Sequence, residues 1–277
     1  MPASSSIDRY VVIGNPIAHS LSPAIHARFA EQTREAIAYE RMLVPRGEFA
    51  AHARRFFSAG GAGANVTLPF KVDAFEFADS ASERARAAGA ANFLAARDGH
   101  IEADNTDGAG LVRDLEDNLG IAIAGARVLL VGAGGAARGV VTPILARLPA
   151  ALVIANRTLE RARELAQRFG DRGAVEAVAL DAISGERFDL VLNATSASVQ
   201  GEAAALPEAV FAPGAFVYDM AYGPAADAFL ARARERQLRA ADGLGMLVEQ
   251  AAESFFLWRG KRPETAPVIR ELRSSRA

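Results

Sequence analysis

The run Gly132-Ala133-Gly134-Gly135-Ala136-Ala137 constrains this chain more than any other stretch. It separates an apolar segment, Arg127 to Val131, that reads as a strand from a longer apolar segment, Ala136 to Leu148, that reads as a helix. A strand that turns into a helix through closely spaced glycines predicts a βαβ unit, and hence a parallel sheet with helices on its faces. Gly132 permits the tight turn, and Gly134 lets phosphates approach the backbone. Ala137 takes the third small position, where helix packs closely on strand. The helix start adds free N–H donors and the positive end of a dipole, which suits a dinucleotide pyrophosphate. Glycine-rich turns also arise for steric reasons alone, so the end of the next strand has to decide the ligand.

That next strand, Ala151 to Ala155, runs into Asn156-Arg157-Thr158. An Asp or Glu there would accept from the ribose 2′-hydroxyl of NAD, and none is present. A guanidinium and a hydroxyl suit a 2′-phosphate instead, so the expected cofactor is NADP. The competing reading makes Arg157 a solvated residue at a helix start with Thr158 as its N-cap.

Strands and helices alternate along most of the chain. Strands are expected at Tyr10–Ile13, Tyr39–Val44 and Ala64–Leu68, with helices at Ser22–Arg34 and Gly47–Ser58. Short helical pieces follow at Lys71–Phe77 and Ser82–Ala88. Asn92–Ala96 and Ile101–Ala103, separated by Asp98-Gly99, read as a hairpin. A helix at Gly108–Asn118 leads into the dinucleotide unit. Beyond it, strands at Val175–Ala179, Leu190–Asn193 and Phe216–Asp219 and helices at Leu159–Phe169 and Ala225–Gln237 complete an open doubly wound sheet. A long apolar helix at Gly245–Trp258 precedes a more polar tail that is expected to pack back onto the first domain. The polar end at Ser274-Ser275-Arg276 is expected to fray.

The chain's 31 basic and 33 acidic residues nearly cancel, which favours neither nucleic acid nor an anionic membrane as partner. Zero cysteines exclude a disulfide framework, a thiol nucleophile and thiolate metal ligands, and four scattered histidines form no metal pattern. Met1 to Ser6 lack a secretory-signal pattern, and no apolar run is long enough to span a bilayer. The expectation is a cytoplasmic enzyme without a metal, acting on a small molecule as a monomer or homodimer.

Three segments of the N-terminal half carry more polar chemistry than packing needs. In Gly14-Asn15-Pro16-Ile17-Ala18-His19-Ser20-Leu21-Ser22-Pro23, two serines precede a Pro-started helix and could turn both hydroxyls to one anion. Ser22 alone could be an N-cap, which leaves Ser20 unexplained. Asn65-Val66-Thr67-Leu68-Pro69-Phe70-Lys71 ends a strand and opens a helix, so Thr67 and Lys71 should face a crevice at the carboxyl edge of a sheet. Asp104-Asn105-Thr106-Asp107-Gly108 offers two carboxylates and an amide at a helix start, where Asp107 could also be only a capping group.

Taken in order, these motifs closely resemble the shikimate dehydrogenase family. The resemblance runs from Tyr10 to about Leu272. Its motifs are GNPIAHS at Gly14–Ser20, GANVTLPFK at Gly63–Lys71, DNTDG at Asp104–Gly108, GAGGAA at Gly132–Ala137, NRT at Asn156–Thr158, NATS at Asn193–Ser196 and DGLGMLVEQA at Asp242–Ala251. It implies reversible NADPH-dependent reduction of 3-dehydroshikimate to shikimate, in the route to chorismate and the aromatic amino acids. It implies a catalytic pair, Lys71 and Asp107, with Lys71 either exchanging the proton or holding the alkoxide charge. Burial of such a lysine would favour its neutral form and the carboxylate would oppose that. Ser20 and Ser22, approached by Tyr222, would take the substrate carboxylate; Thr67, Lys71, Asn92, Asp107 and Gln250 would surround the ring hydroxyls. Gln250 could otherwise be an ordinary surface residue. NADP would lie on Gly132, Ala133, Gly134, Gly135, Ala136, Ala137, Asn156, Arg157 and Thr158, with Thr195, Met220, Gly243 and Met246 beside its ribose or nicotinamide.

The implied architecture is α/β in two domains. Residues 1–106 and 243–277 would form a substrate-binding, catalytic domain with a mostly parallel sheet, and residues 107–242 a Rossmann-type NADP domain. Substrate would sit in a crevice between them that closes to exclude water. The chain departs from the family pattern in three places. Ala91 and Phe93 flank Asn92 where Val and Thr are usual, which weakens the expected hydrogen bonding there. Ala197-Ser198 follow NATS in place of a nearby glycine, and Asp227-Ala228 stand where a Thr-Pro pair is common. The alternative within the family is a quinate/shikimate dehydrogenase with relaxed substrate or NAD use. Outside it stand a different two-domain NADP enzyme, such as a methylenetetrahydrofolate dehydrogenase, and a nonenzymatic sensor that would need neither Lys71 nor Asp107.

Overall fold

The computed structural model describes residues 7–170, 173–195 and 206–275; Met1 to Ser6, Ser196, Ala197-Ser198 and Arg276 of the motifs above lie outside them. The chain divides into two compact units, Met1–Gly110 with Leu247–Ala277, and Leu111–Met246.

The first unit opens with β1 (Asp8–Gly14), α1 (Ser22–Thr33), β2 (Ile37–Leu43), α2 (Phe49–Ser58), β3 (Gly61–Val66), α3 (Lys71–Phe77), β4 (Ser80–Ala81), α4 (Glu83–Ala88), β5 (Phe93–Arg97) and β6 (His100–Asp104). The sheet order is β2-β1-β3-β5-β6-β4. β2, β1 and β3 are parallel, β5 runs antiparallel to both β3 and β6, and β4 pairs parallel with β6. The β5–β6 hairpin turns through two residues of positive φ, Asp98 at 50° and Gly99 at 83°, which matches the right-handed twist of the paired strands.

This topology decides where function can sit. The parallel strands β1, β2 and β3 end on one edge, at Gly14, Leu43 and Val66. Because β5 is antiparallel to β3, its start at Phe93 lies opposite Asn65 on that same edge, and the end of β6 at Asp104 lies opposite Phe93. The loops carrying Ser20, Thr67, Asn92 and Asp107 therefore converge by register alone. Alternation along β1 sends Val11 and Ile13 into a core with Phe49, Phe56, Phe70 and Leu94 under α2 and α3, and Tyr10 to the opposite face.

The second unit begins within α5 (Asp107–Arg113), taking its last three residues, and α5 continues as a π-helical turn at Asp114–Asn118. Then follow β7 (Arg127–Val131), α6 (Gly135–Leu145), β8 (Ala151–Asn156), α7 (Leu159–Phe169), β9 (Val175–Ala179), β10 (Phe188–Asn193), β11 (Phe211–Asp219), α8 (Pro224–Glu235) and β12 (Arg239–Asp242). The order β12-β11-β10-β7-β8-β9 is parallel throughout and reverses direction between β7 and β10, the doubly wound Rossmann pattern. The expected helix to Leu148 stops at Leu145. Arg147 and Leu148 donate to carbonyls three residues back, and Leu148 then enters the left-handed region at φ 53°, which ends the helix.

The chain ends in α9 (Leu244–Arg259) and α10 (Ala266–Ser274). The seams between units lie at Gly110/Leu111 and Met246/Leu247, inside α5 and α9, a few residues beyond the expected 106/107 and 242/243. In the first unit, Val248, Ala252 and Phe255 of α9 and Val268 and Ile269 of α10 pack on Ile25 and Phe29 of α1. The polar tail thus forms a helix whose few apolar residues face inward, and its Glu271 carboxylate accepts two bonds from the Arg28 guanidinium. Trp258 of α9 lies 4.5 Å from the Tyr10 ring, on the sheet face opposite α2 and α3. Among the described residues, no helix is long and apolar enough to cross a membrane.

Candidate active site

In the first unit, Lys71 begins α3 and Asp107 begins α5, and their side chains form an ion pair through Lys71 Nζ and Asp107 Oδ2. Both are largely withdrawn from water, at 14% and 6% exposed. The backbone pins each end: Ala91 N donates to Lys71 O at 2.7 Å, and Asp107 N donates to Asn105 Oδ1 at 3.2 Å. The Asp107 carboxylate is thus aimed at Lys71 and Asn92 across the sheet edge, more than a capping group for its own helix would require.

Asn92 completes the group. Its Nδ2 donates to Asp107 Oδ1 at 2.8 Å and is shared with Thr106 Oγ1 at 2.9 Å and Gln250 Oε1 at 3.1 Å, while its Oδ1 accepts from Thr106 N at 2.7 Å. That last bond fixes which end of the amide faces the carboxylate, so Asn92 presents donors to an anion. The expected weakening of Asn92 by Phe93 is corrected here. Phe93 points to the other side of its strand, stacked on Trp258 at 5.0 Å, and leaves the Asn92 amide fully bonded. Gln250 on α9 is buried beside Asn92, not a surface glutamine, and its Nε2 donates to Leu247 O at 2.8 Å.

Ser20 and Ser22 meet: Ser20 Oγ lies 3.2 Å from Ser22 Oγ and accepts from Ser22 N at 3.3 Å. Ser22 is the first residue of α1, whose N-cap position is Leu21, so the N-cap reading of Ser22 is corrected; its hydroxyl is left to the loop. The Arg41 guanidinium donates twice to Ser20 O, at 2.6 and 3.0 Å, and brings positive charge to the serine pair. Thr67 follows β3, with its N–H on Ile13 O at 2.9 Å and its side chain half-buried. Asp104 is clamped by Arg84, whose Nε and Nη2 reach its two carboxylate oxygens at 2.6 and 2.8 Å, and this holds the turn that carries Asp107.

Behind these residues lies a buried polar layer that motif reading left unassigned. Tyr39 OH donates to Asn65 Oδ1 at 2.7 Å, and Asn65 Nδ2 donates to Ser254 Oγ at 2.9 Å. Burial pushes the Tyr39 phenol well above its ordinary value, so it stays a neutral donor. Spacing does contain the signal: Asn65 shares a strand face with Thr67, and Ser254 lies one helical turn past Gln250. His26, fully buried, stacks on Tyr39 with ring centroids 4.1 Å apart; neither of its ring nitrogens has a hydrogen-bond partner among the described residues. Burial lowers its pKa to about 3, with the nearby Asn65 amide opposing.

In the second unit, Gly132 follows β7 at φ 116°, and a Cβ there would stand 3.1 Å from the Ala194 carbonyl. Gly134 precedes α6, and a Cβ there would meet nothing within 4 Å. The first turn of α6, Gly135, Ala136 and Ala137, holds no acidic side chain, and Ala137 is fully buried against the sheet. Asn156 Nδ2 donates to Thr158 O at 2.8 Å and braces the loop that exposes Arg157 and Thr158. Thr158 does occupy the N-cap position of α7, but its side chain makes no capping bond. Thr195 donates to Asn193 Oδ1 at 2.8 Å, and Asn193 donates in turn to Asp219 at 2.9 Å. Met220, half-buried Tyr222, Gly243 and buried Met246 follow the ends of β11 and β12, so these residues gather on the carboxyl edge of their sheet. No cluster of His, Cys, Asp or Glu able to hold a metal is found among the described residues.

Comparisons against known proteins give the family of the chain. A family model described as a shikimate dehydrogenase substrate binding domain matches residues 12–94. Models described as shikimate / quinate 5-dehydrogenase and shikimate 5′-dehydrogenase C-terminal domain match residues 115–210 and 243–273. The shikimate dehydrogenase (NADP(+)) of Nitrosospira multiformis is 55% identical over 269 residues, covering 97% of this chain and 98% of its own. The crystal structure of an Ael1 enzyme from Pseudomonas putida superposes with a TM-score of 0.89 at 48% identity, covering 96% of this chain and 98% of that one. Shikimate 5-dehydrogenase from Thermus thermophilus, solved with NADP(H) and shikimate, gives a TM-score of 0.84 at 32% identity, with 97% and 99% covered. With 97% of the chain matched at 55% identity, it belongs to the shikimate dehydrogenase family.

Proposed function

We propose that this chain catalyses the reversible, NADP-dependent reduction of 3-dehydroshikimate to shikimate, a step toward chorismate and the aromatic amino acids. The observation that carries the reading is the shielded Lys71–Asp107 ion pair, with the Asn92 amide on the second carboxylate oxygen. Ketone reduction delivers hydride to carbon and a proton to oxygen. NADPH, when bound, supplies the hydride. Lys71 Nζ stabilises the charge growing on the oxygen and gives it the proton, and in the oxidation of shikimate the lysine takes it back. Asp107 orients the ammonium.

The substrate carboxylate falls to Ser20 and Ser22, with Tyr222 as a further contact. Thr67, Asn92 and Gln250 pair the ring hydroxyls, since a polar ring shut away from water needs a partner for each oxygen. The unit Met1–Gly110 with Leu247–Ala277 is the substrate-binding, catalytic domain in this reading, and Leu111–Met246 the NADP domain. The loop Gly132–Ala137 fits a pyrophosphate, because the space at Gly134 is open and no carboxylate stands in the first turn of α6. Asn156, Arg157 and Thr158 take the 2′-phosphate; Thr195, Met220, Gly243 and Met246 border the ribose and nicotinamide. Every assigned residue lies on one chain, so a monomer and a homodimer serve alike, and a reductive biosynthetic step suits the cytoplasm. Asn156-Arg157-Thr158 at the end of β8 offer no carboxylate to the 2′-hydroxyl of NAD.

The test is NADP reduction by purified protein with shikimate, with quinate and NAD run in parallel and followed by nicotinamide absorbance. Fast turnover with shikimate and NADP is expected. Turnover confined to quinate or to NAD would overturn the assignment.

A further inference from the structure

Ser254 has no role in the assignments above, yet it lies on α9 one turn past Gln250 with no exposed surface. Its Oγ accepts from Asn65 Nδ2 at 2.9 Å and stands 3.2 Å from Thr106 Oγ1. We propose that Ser254 is a positioning residue for the proposed reaction, on which this inference rests: its hydroxyl ties β3 to the turn after β6 and so holds the Asn92 amide against Asp107.

The single Ser254 proton limits the direction this link can take. Ser254 has one O–H, which donates to Gln250 O at 3.0 Å in its own helix, so its lone pairs remain to accept. One accepts from Asn65. The other is open to Thr106, whose own oxygen accepts from Asn92 Nδ2 at 2.9 Å and whose O–H has Ser254 Oγ and Asn92 Oδ1 both at 3.2 Å and Gln250 Oε1 at 3.4 Å. The chain of bonds runs from Asp107 through Asn92 and Thr106 to Ser254, and from Ser254 through Asn65 to Tyr39. Every member is buried or half-buried, so a break strands a polar group away from water.

The neighbouring strand explains why a helix has to supply this hydroxyl. Position 93 pairs directly with Asn65 across the β3–β5 ladder, so side chains at the two positions share a sheet face. Phe93 can offer Asn65 no acceptor, and its ring instead stacks on Trp258, one turn past Ser254. Ser254 fills the gap between that ring pair and Asn65 with the acceptor that position 93 lacks.

Ser254→Ala and Thr106→Val break the same link from its two ends. Each is expected to lose about tenfold in kcat/KM for shikimate, the size of one net hydrogen bond, mostly through KM, with the KM for NADP changed less than about twofold. Their combined loss should fall well short of the product of the two. A lowered melting temperature with an unchanged KM for shikimate would make Ser254 merely structural and overturn the proposal, as would losses that multiply. Should Ser254→Ala fail to fold, the isosteric Thr106→Val decides alone, and an unchanged KM there overturns the link. Shikimate affinity by calorimetry separates the two failures. A wild-type protein that neither binds nor oxidises shikimate refutes the functional reading and this inference with it, whereas an active wild type with an unaffected variant refutes only the inference.

Discussion

Replacing Lys71 by alanine tests both the chemistry and the energetics of the first unit. The lysine and Asp107 side chains are 14% and 6% exposed, so the pair sits close to the buried limit. Removing one partner of a buried ion pair costs about 3–5 kcal/mol, because the other charge remains unpaired. Asp107 keeps the Asn92 amide at 2.8 Å, a hydrogen bond to a charged group worth about 1.5–3 kcal/mol, which offsets part of that cost. A net loss of about 2 kcal/mol is expected. Turnover should fall by about 10²–10⁴, the usual contribution of a positioned acid or base. NADP affinity should hold, since Gly132 to Ala137 and Arg157 are untouched. The single tryptophan, Trp258, lies in the same unit and reports unfolding in denaturant, so stability and turnover can be read on one preparation. An unfolding midpoint equal to or above the wild type would refute the argument that Asp107 depends on Lys71, and a loss of turnover under about tenfold would mean that the proton comes from elsewhere.

The remaining predictions concern the cofactor site and a buried histidine. Arg157→Ala should raise the KM for NADPH by about ten- to a hundredfold, the value of a charge-assisted bond to phosphate, and leave that for NADH unchanged; an equal effect on both would contradict a 2′-phosphate site. Gly132→Ala places a Cβ 3.1 Å from the Ala194 carbonyl at φ 116° and should lower the melting temperature and abolish NADP binding, as calorimetry would report; normal binding would show that the turn tolerates a side chain. His26 titrates at about 3 in the folded protein against an ordinary 6.5. Above 6.5 the ring is neutral in both states and pH has no leverage; below it the unfolded chain gains a proton that the folded chain refuses. Stability should therefore fall by about 1.4 kcal/mol per pH unit from His26 alone as pH drops through that window. A folded His26→Phe variant should lose this slope just below 6.5, and parallel wild-type and variant curves there would mean that the ring finds a proton partner.

Where sequence reading succeeded, one strong local rule applied. The apolar run Arg127 to Val131 gave β7 its bounds, the strand expected at Val175–Ala179 is β9, and Asp98-Gly99 read as the turn of a hairpin. It missed β12, whose Arg239-Ala240-Ala241-Asp242 has no apolar alternation and is a strand only because β11 offers a ladder beside it. It left α10 undescribed because so few of that helix's residues reach the core. The motifs named the residues assigned to a ligand but gave no role to those that hold them. Asn65, Thr106 and Ser254 come from three distant segments; the antiparallel placement of β5 between β3 and β6 brings the first two to one edge, and α9 brings Ser254 to Asn65. Phe93 shows the limit most clearly. As a letter beside Asn92 it read as a lost hydroxyl, but strand alternation sends its ring to the other face, where it costs Asn92 nothing.

Both sheets place their polar groups where strands end, for a reason that strand interiors explain. Within β1, β7 or β10, backbone donors and acceptors are used up by neighbouring strands, and the side chains of Val11–Ile13, Val128–Val131 and Leu190–Leu192 are apolar and buried. Only past Gly14, Val66, Val131 and Asn193 does the ladder stop, leaving backbone groups and helix starts that side chains or a ligand can satisfy. In the first unit that edge is filled by amides and hydroxyls whose orientation is set by bonds behind them, down to Tyr39, and the fixed result is a set of donors aimed at one carboxylate. A site of this kind loses function by small rotations before it loses its fold. Conservative changes in the second layer should accordingly appear in KM for shikimate ahead of any change in melting temperature, and the opposite order would place the rigidity of the site in Lys71, Asn92 and Asp107 themselves.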